Sequence, residues 1–150
     1  MLSVCFILIA AEANPPRFED YPATEIFKGS PAAPKLRGPG DRLFRTKIRE
    51  GAAKGPNFAG HFTIADWGCG AGCVSIAIVD AKDGRIYDAP FQALAWGMAF
   101  MKAEPLAYKL DSRLLIARGC PEEENCGSYF YEWTGTQFKL IRKVAAVRVN

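Results

Sequence analysis

The pentapeptide Cys69-Gly70-Ala71-Gly72-Cys73 restricts the fold more than any other stretch of the chain. Strand-like residues flank it on both sides, "HFTIADW" before and "VSIAIVD" after. A three-residue hairpin loop uses glycine where the backbone must take positive φ. Reading Gly70–Gly72 as that loop sets the register. Cys69 then lies opposite Cys73, Trp67 opposite Ser75, Ala65 opposite Ala77 and Thr63 opposite Val79. Directly opposed residues bring their Cβ atoms within reach of a disulfide. A Cys69–Cys73 bond would close a very short loop, so it would fix shape more than it stabilises.

The side-chain period of two then sorts the hairpin into faces. Phe62, Ile64, Val74, Ile76 and Ile78 form an apolar face that reads as core. His61, Thr63, Ala65, Trp67 and Cys69 share the other face with Ser75, Ala77 and Val79. That face is a floor of small residues edged by Trp67 and by the only histidine in the chain. It is either covered by another segment or open as a groove.

Further strand-like runs follow at 85–89, 108–110 with 113–118, 128–133 and 137–143. Asp83-Gly84 and Thr134-Gly135-Thr136 are hairpin turn signals. Residues 92–103 fit either a short helix or an irregular apolar segment. The expected fold is mainly β (α+β): a twisted antiparallel meander of five to six strands with one N-terminal helix packed on it. That helix is expected over Asp41–Lys54. Asp41 would cap it, Phe44, Ile48 and Ala52 would form its buried stripe, and Gly55-Pro56 would stop it. Gly51 weakens it by up to about 1 kcal/mol relative to alanine.

The chain divides into three parts. Residues 1–13 read as a signal peptide, with the apolar run Leu2–Ala11 and the small-x-small pattern Ala11-Glu12-Ala13, although no basic residue precedes the run. Residues 14–40 hold six prolines and read as an extended lead-in laid over the domain, anchored by Tyr21, Ile26 and Phe27. Residues 41–150 form one disulfide-stapled, β-rich domain. No other run is long and apolar enough to cross a bilayer as a helix, so no transmembrane segment is expected in the mature chain.

Cleavage after Ala13 leaves four cysteines: Cys69, Cys73, Cys120 and Cys126. An even number in a small exported domain reads as two disulfides. Three pairings are possible, and the spacing favours the local ones, 69–73 and 120–126. The expected location is the periplasm or the exterior. Net charge is +3, and residues 35–54 carry seven Lys/Arg against Asp41 and Glu50. This basic patch, with Arg42, Arg45 and Arg49, is either a solvated helix face or a contact surface for an acidic partner.

Several chemistries fail on spacing. C-x3-C and C-x5-C lack the usual zinc knuckle, and oxidation competes for the thiols, so no metal is expected. No cofactor is expected either. The glycines of "GCGAG" lead into a strand rather than a helix, which excludes a phosphate loop. The basic patch has few interleaved aromatics, so nucleic acid is not an expected partner. Neither G-x-S-x-G nor a serine in a strained turn is present to pair with His61, and Asp66 falls on the opposite face. His61 is the one candidate acid/base. Tyr129, Tyr131 and Trp133 share a strand face and read first as core.

The stretches "EIFKGSPAAPKL", "REGAAKGPNFAGHF", "WGCGAGC", "VDAKDGRIYDAPF" and "LDSRLLIARGCPEEENCG" resemble a family of small exported bacterial proteins of uncharacterised function. Its most specific element is N-F-A-G-H-[FY] followed by W-G-C-G-x-x-C. The resemblance implies a periplasmic or secreted bacterial protein and carries no catalytic residues. The leading expectation is a non-catalytic binding or structural module of the cell envelope with a protein or glycan partner. Its candidate binding residues are Arg42, Arg45, Arg49, His61, Trp67 and Gly70. The alternative is a small periplasmic hydrolase using His61. An open groove over His61 with a serine or carboxylate in reach favours the enzyme. A His61 buried under the lead-in and bonded to backbone favours the module.

Overall fold

The computed structural model describes residues 13–97, 103–121 and 125–146. Residues 1–12 of the expected signal peptide 1–13 lie outside them, as do 98–102 of the ambiguous apolar segment, 122–124 and 147–150.

The structure is built on antiparallel strands: β1 (Phe62–Gly68), β2 (Cys73–Asp80), β3 (Ile86–Tyr87), β4 (Leu94–Ala95), β5 (Leu106–Ala107), β6 (Leu114–Pro121), β7 (Gly127–Trp133) and β8 (Phe138–Ala145). Their order is β1-β2-β4-β6-β7-β8, with β3 on β2 and β5 on β6. Among the described residues the count is eight rather than five to six. The two missed strands, β4 and β5, have two residues each, too few to show a period. β4 falls inside the ambiguous 92–103 segment.

The first hairpin has the register expected of its loop, with Thr63 opposite Val79, Ala65 opposite Ala77 and Trp67 opposite Ser75. Gly70 and Gly72 take φ of 122° and 64°, and the Cys69 N–H donates to the Cys73 carbonyl at 3.2 Å. Both local cysteine pairs are bonded, Cys69–Cys73 and Cys120–Cys126. One row of the sheet joins them, because Ala95 of β4 pairs with Cys73 on one side and Cys120 on the other.

The expected helix is broken in two. α1 spans Pro39–Leu43 and α2 spans Arg45–Ala53, with Phe44 between them at φ −105° and ψ 18°. Asp41 is not the cap. Pro39 occupies the first turn, where its missing N–H is no loss, so the helix starts two residues earlier and Gly38 is the N-cap. The Asp41 carboxylate instead reaches back to the Arg37 N–H at 2.9 Å. Ile48 and Ala52 are buried as the stripe required, whereas Phe44 is 39% exposed. Gly55 at φ 87° ends α2. Gly51 has a packing reason: a Cβ there would lie 2.4 Å from the Ala65 Cβ on β1.

α2 therefore covers the small-residue floor. Ile48 and Ala52 pack with Trp67, Ala77, Val79, Ile86 and Leu36. The opposite face builds the main core, where Phe62, Ile64, Val74, Ile76 and Ile78 meet Leu115, Tyr129, Tyr131 and Trp133. The aromatic stripe of β7 is thus core. Trp133 is 1% exposed and touches Phe62, Tyr87 and Phe138 with ring centroids 4.8–5.5 Å apart. Trp96 follows β4, and its backbone N–H donates to the Gly72 carbonyl at 2.8 Å. The three tryptophans thus sit at three different joints.

The lead-in is extended apart from one 3-10 turn, Phe18–Asp20. Its backbone bonds to the domain at several points: Ala23 N–H to the Asp111 carbonyl, Phe27 to Gly60, Ala32 to Ala81 and Lys35 to Gly84, all at 2.8–2.9 Å. Tyr21 packs on Leu114, Ile116 and Phe130. Ile26 is not an anchor, being 40% exposed, because the hold at this point comes from backbone bonds rather than from its side chain.

Candidate functional site

The two ends of the β1–β2 hairpin carry the residues that chemistry or binding would use. At the His61 end the chain turns through Ala59 and Gly60, both at positive φ. His61 precedes the first residue of β1 and so escapes strict strand alternation. Its Nδ1 lies 2.8 Å from Oδ1 of Asp80, the last residue of β2. The same oxygen accepts the Lys82 N–H at 2.9 Å. Asp80 is 7% exposed. Beyond it, Lys82 Nζ pairs with the Glu25 carboxylate of the lead-in at 2.8 Å. That bond and the lysine charge hold the Glu25 carboxyl below its ordinary value.

His61 is therefore bonded to a carboxylate, not to backbone, and it is half-buried with the lead-in crossing next to it. The expected signs of the two readings are mixed here. The two buried serines, Ser75 and Ser112, are engaged elsewhere. Ser112 Oγ donates to the Phe18 and Tyr21 carbonyls, and Ser75 Oγ donates to the Gln92 carbonyl. A histidine oriented by a carboxylate is half of an acid/base arrangement, and among the described residues the side-chain hydrogen bond of His61 is to Asp80, not to a hydroxyl or thiol.

The Trp67 end is different. A cleft of about 680 Å3 opens there between the helical segment and the β3–β4 connection. Its volume falls in the range of small-molecule sites. Ser75 and Ala77 form part of its floor, and Phe44, Trp67, Tyr87 and Phe91 bring aromatic surface. Phe44 stacks on Trp67, with ring centroids 5.0 Å apart and planes at 28°. Trp67 is 9% exposed, and its indole N–H has no hydrogen-bond partner among the described residues.

The rim is charged. Arg37 Nε donates to Asp41 Oδ2 at 2.8 Å and Nη2 to Oδ1 at 3.1 Å, a two-point grip. Its Nη1 donates to Asp88 Oδ1 at 2.8 Å. The hydrogen bonds to Arg37 hold the Asp41 carboxyl below its ordinary value, and the same bonds raise the guanidinium. Both carboxylates are thereby committed to one cation.

Of the residues singled out from the sequence, Trp67 lines this cleft and His61 does not. Arg42, Arg45 and Arg49 are exposed on α1 and α2, outside the cleft, and Arg45 Nη1 donates to the Arg42 carbonyl at 3.1 Å. Gly70 is exposed at the hairpin tip with open space around it. Sequence reasoning missed Arg37, Asp88, Tyr87 and Asp80, and it gave Asp41 the wrong task. One signal was available: Arg37 and Asp41 are four apart across Gly38-Pro39-Gly40, an ion-pair spacing over a forced turn. Asp88 lies 51 residues from Arg37 and gives no such sign.

No family model, curated protein or solved structure matches the chain. Among the described residues, no helix is long and apolar enough to cross a membrane, and no three His, Cys, Asp or Glu side chains cluster to hold a metal ion.

Proposed function

We propose that the chain is an exported, non-catalytic binding module of the cell envelope. One observation carries this reading: the single acid/base candidate and the large cleft are at opposite ends of the hairpin. His61 is engaged by Asp80 beside the lead-in, while the cleft's two carboxylates are both tied to Arg37. Such a cleft has shape and hydrogen-bonding groups, and its two carboxylates are each ion-paired with Arg37. The two disulfides support an oxidising compartment. The resemblance to small exported bacterial proteins supports the same address. Arg42, Arg45, Arg49 and Gly70 remain contact candidates outside the cleft.

The His61–Asp80 pair supports the hydrolase as a second reading. Both are tested together. The native protein from a periplasmic fraction should show an intact mass beginning at Asn14 and no thiol open to alkylation. It should co-sediment with isolated envelope fragments, and His61→Ala should leave that association unchanged. Hydrolysis of ester, amide or glycoside substrates that is lost in His61→Ala would replace the module with the hydrolase.

A further inference from the structure

We propose that the cleft beside Trp67 is a saccharide site that takes a neutral pyranose ring of an envelope glycan. This rests on the binding-module reading and names its ligand class. The argument starts from charge. Arg37 stands between Asp41 and Asp88, so the rim alternates acceptor, donor and acceptor. An anionic ligand meets two carboxylates there. An organic cation, which the aromatic walls alone would welcome, meets the Arg37 guanidinium, 45% of whose side chain is exposed.

Neighbouring sugar hydroxyls fit this alternation, because each hydroxyl both donates and accepts. One can give its proton to a carboxylate while its neighbour takes an N–H from the guanidinium. The Asp88 side chain is 89% exposed while its Oδ1 holds Arg37, so the group is oriented and still reachable. Charge-assisted bonds of this kind are the stronger sort.

The second half of the argument is the wall. A pyranose has one face of C–H groups that packs on an aromatic ring. Phe44 is 39% exposed and its ring is fixed by stacking on Trp67, so a platform is held in place before any ligand arrives. The break between α1 and α2 falls on Phe44 and separates it from the regular helical stripe.

The test uses the purified full chain and amide NMR. The probes are neutral oligosaccharides spanning gluco, galacto, manno and N-acetylglucosamine units, with choline chloride and inorganic phosphate as charged comparators. The expected result is saturable shifts at the amides of Phe44, Trp67 and Tyr87 with at least one neutral sugar. Phe44→Ala and Asp88→Asn should each weaken it by about tenfold, the scale of one lost stacking or charge-assisted contact. Lys139→Ala, at an exposed position of β8 outside the cleft, should bind as wild type does. Choline or phosphate shifting the same amides while the sugars do not would overturn the proposal, as would silence across the set. Envelope co-sedimentation separates the two levels. If wild type and Phe44→Ala sediment equally and no sugar binds, the saccharide site falls and the module stands. If wild type does not sediment and binds no sugar, both fall.

Discussion

The two ends of one hairpin make an instructive pair. Both lie on the same two strands, in the same register, and both place a carboxylate beside a cationic or basic group. At the His61 end the lead-in crosses the turn and answers the backbone of Gly60, Ala81 and Gly84. At the Trp67 end the covering helix breaks at Phe44, and a cleft remains. The strands do not decide which end is open. The decision lies in what crosses them, and each covering segment is controlled by a few backbone positions.

The largest expected effect comes from forcing the closed end apart. Gly60 has φ 87°, and a Cβ there would meet the Glu25 carbonyl oxygen at 1.7 Å. Gly60→Ala should cost about 3 kcal/mol, combining backbone strain with displacement of the lead-in. Denaturant unfolding checks the size, and amide exchange at Phe27 should rise while exchange in β7 follows only the global loss.

Next comes the seat of α2. Alanine at position 51 should favour the helix by about 1 kcal/mol on propensity alone. The 2.4 Å approach to Ala65 opposes it, and overpacking of this kind costs about 1–3 kcal/mol. Gly51→Ala should therefore destabilise. Ala65→Gly in the same chain should recover part of the loss, and a thermal-unfolding double-mutant cycle reads the coupling.

A smaller effect separates the ends by pH. Arg37 holds the folded Asp41 carboxyl below its ordinary value. The stability this contributes is present above the ordinary carboxylate range and is lost as pH falls through the depressed folded value. Asp41→Asn should therefore flatten the acid limb of the stability profile. Near neutral pH it should cost less than about 1 kcal/mol, because Arg37 is partly exposed and water screens the pair. The smallest effect is Asp88→Asn, within about 0.5 kcal/mol of wild type, because its side chain is 89% exposed. A larger loss in unfolding titrations would make Asp88 part of the scaffold rather than of the rim.

Much of this molecule was legible where local chemistry decided it. Glycines at 70 and 72 fixed a loop length, and the loop length fixed the register and both faces of the hairpin. Asp83-Gly84 and Thr134-Gly135-Thr136 turned the chain where expected. The local cysteine pairs followed from the same reasoning. What escaped was long-range or conditional. β4 pairs through two residues and has no period to read. The helix break falls on Phe44, whose ring stacks on Trp67, a partner 23 residues away in sequence that no local pattern announces. His61 and Asp80 meet because each lies at a strand end, where alternation no longer dictates direction. The cleft gathers Arg37, Phe44, Trp67 and Asp88 from separate segments, and only the folded chain brings them together.

The scattering of the three tryptophans gives the molecule its own optical gauges. Trp133 lies among aromatic rings where the two halves of the sheet share a core, Trp67 lies under Phe44, and Trp96 lies beside the short strand between the halves. Chains that keep one indole at a time would emit from one joint at a time. Emission from Trp133 would follow the closing of the core, that from Trp96 the zipping of β4, and that from Trp67 the seating of the helix. The order in which those signals appear on refolding would show whether this sheet is assembled from its hydrogen bonds outward or from its rings.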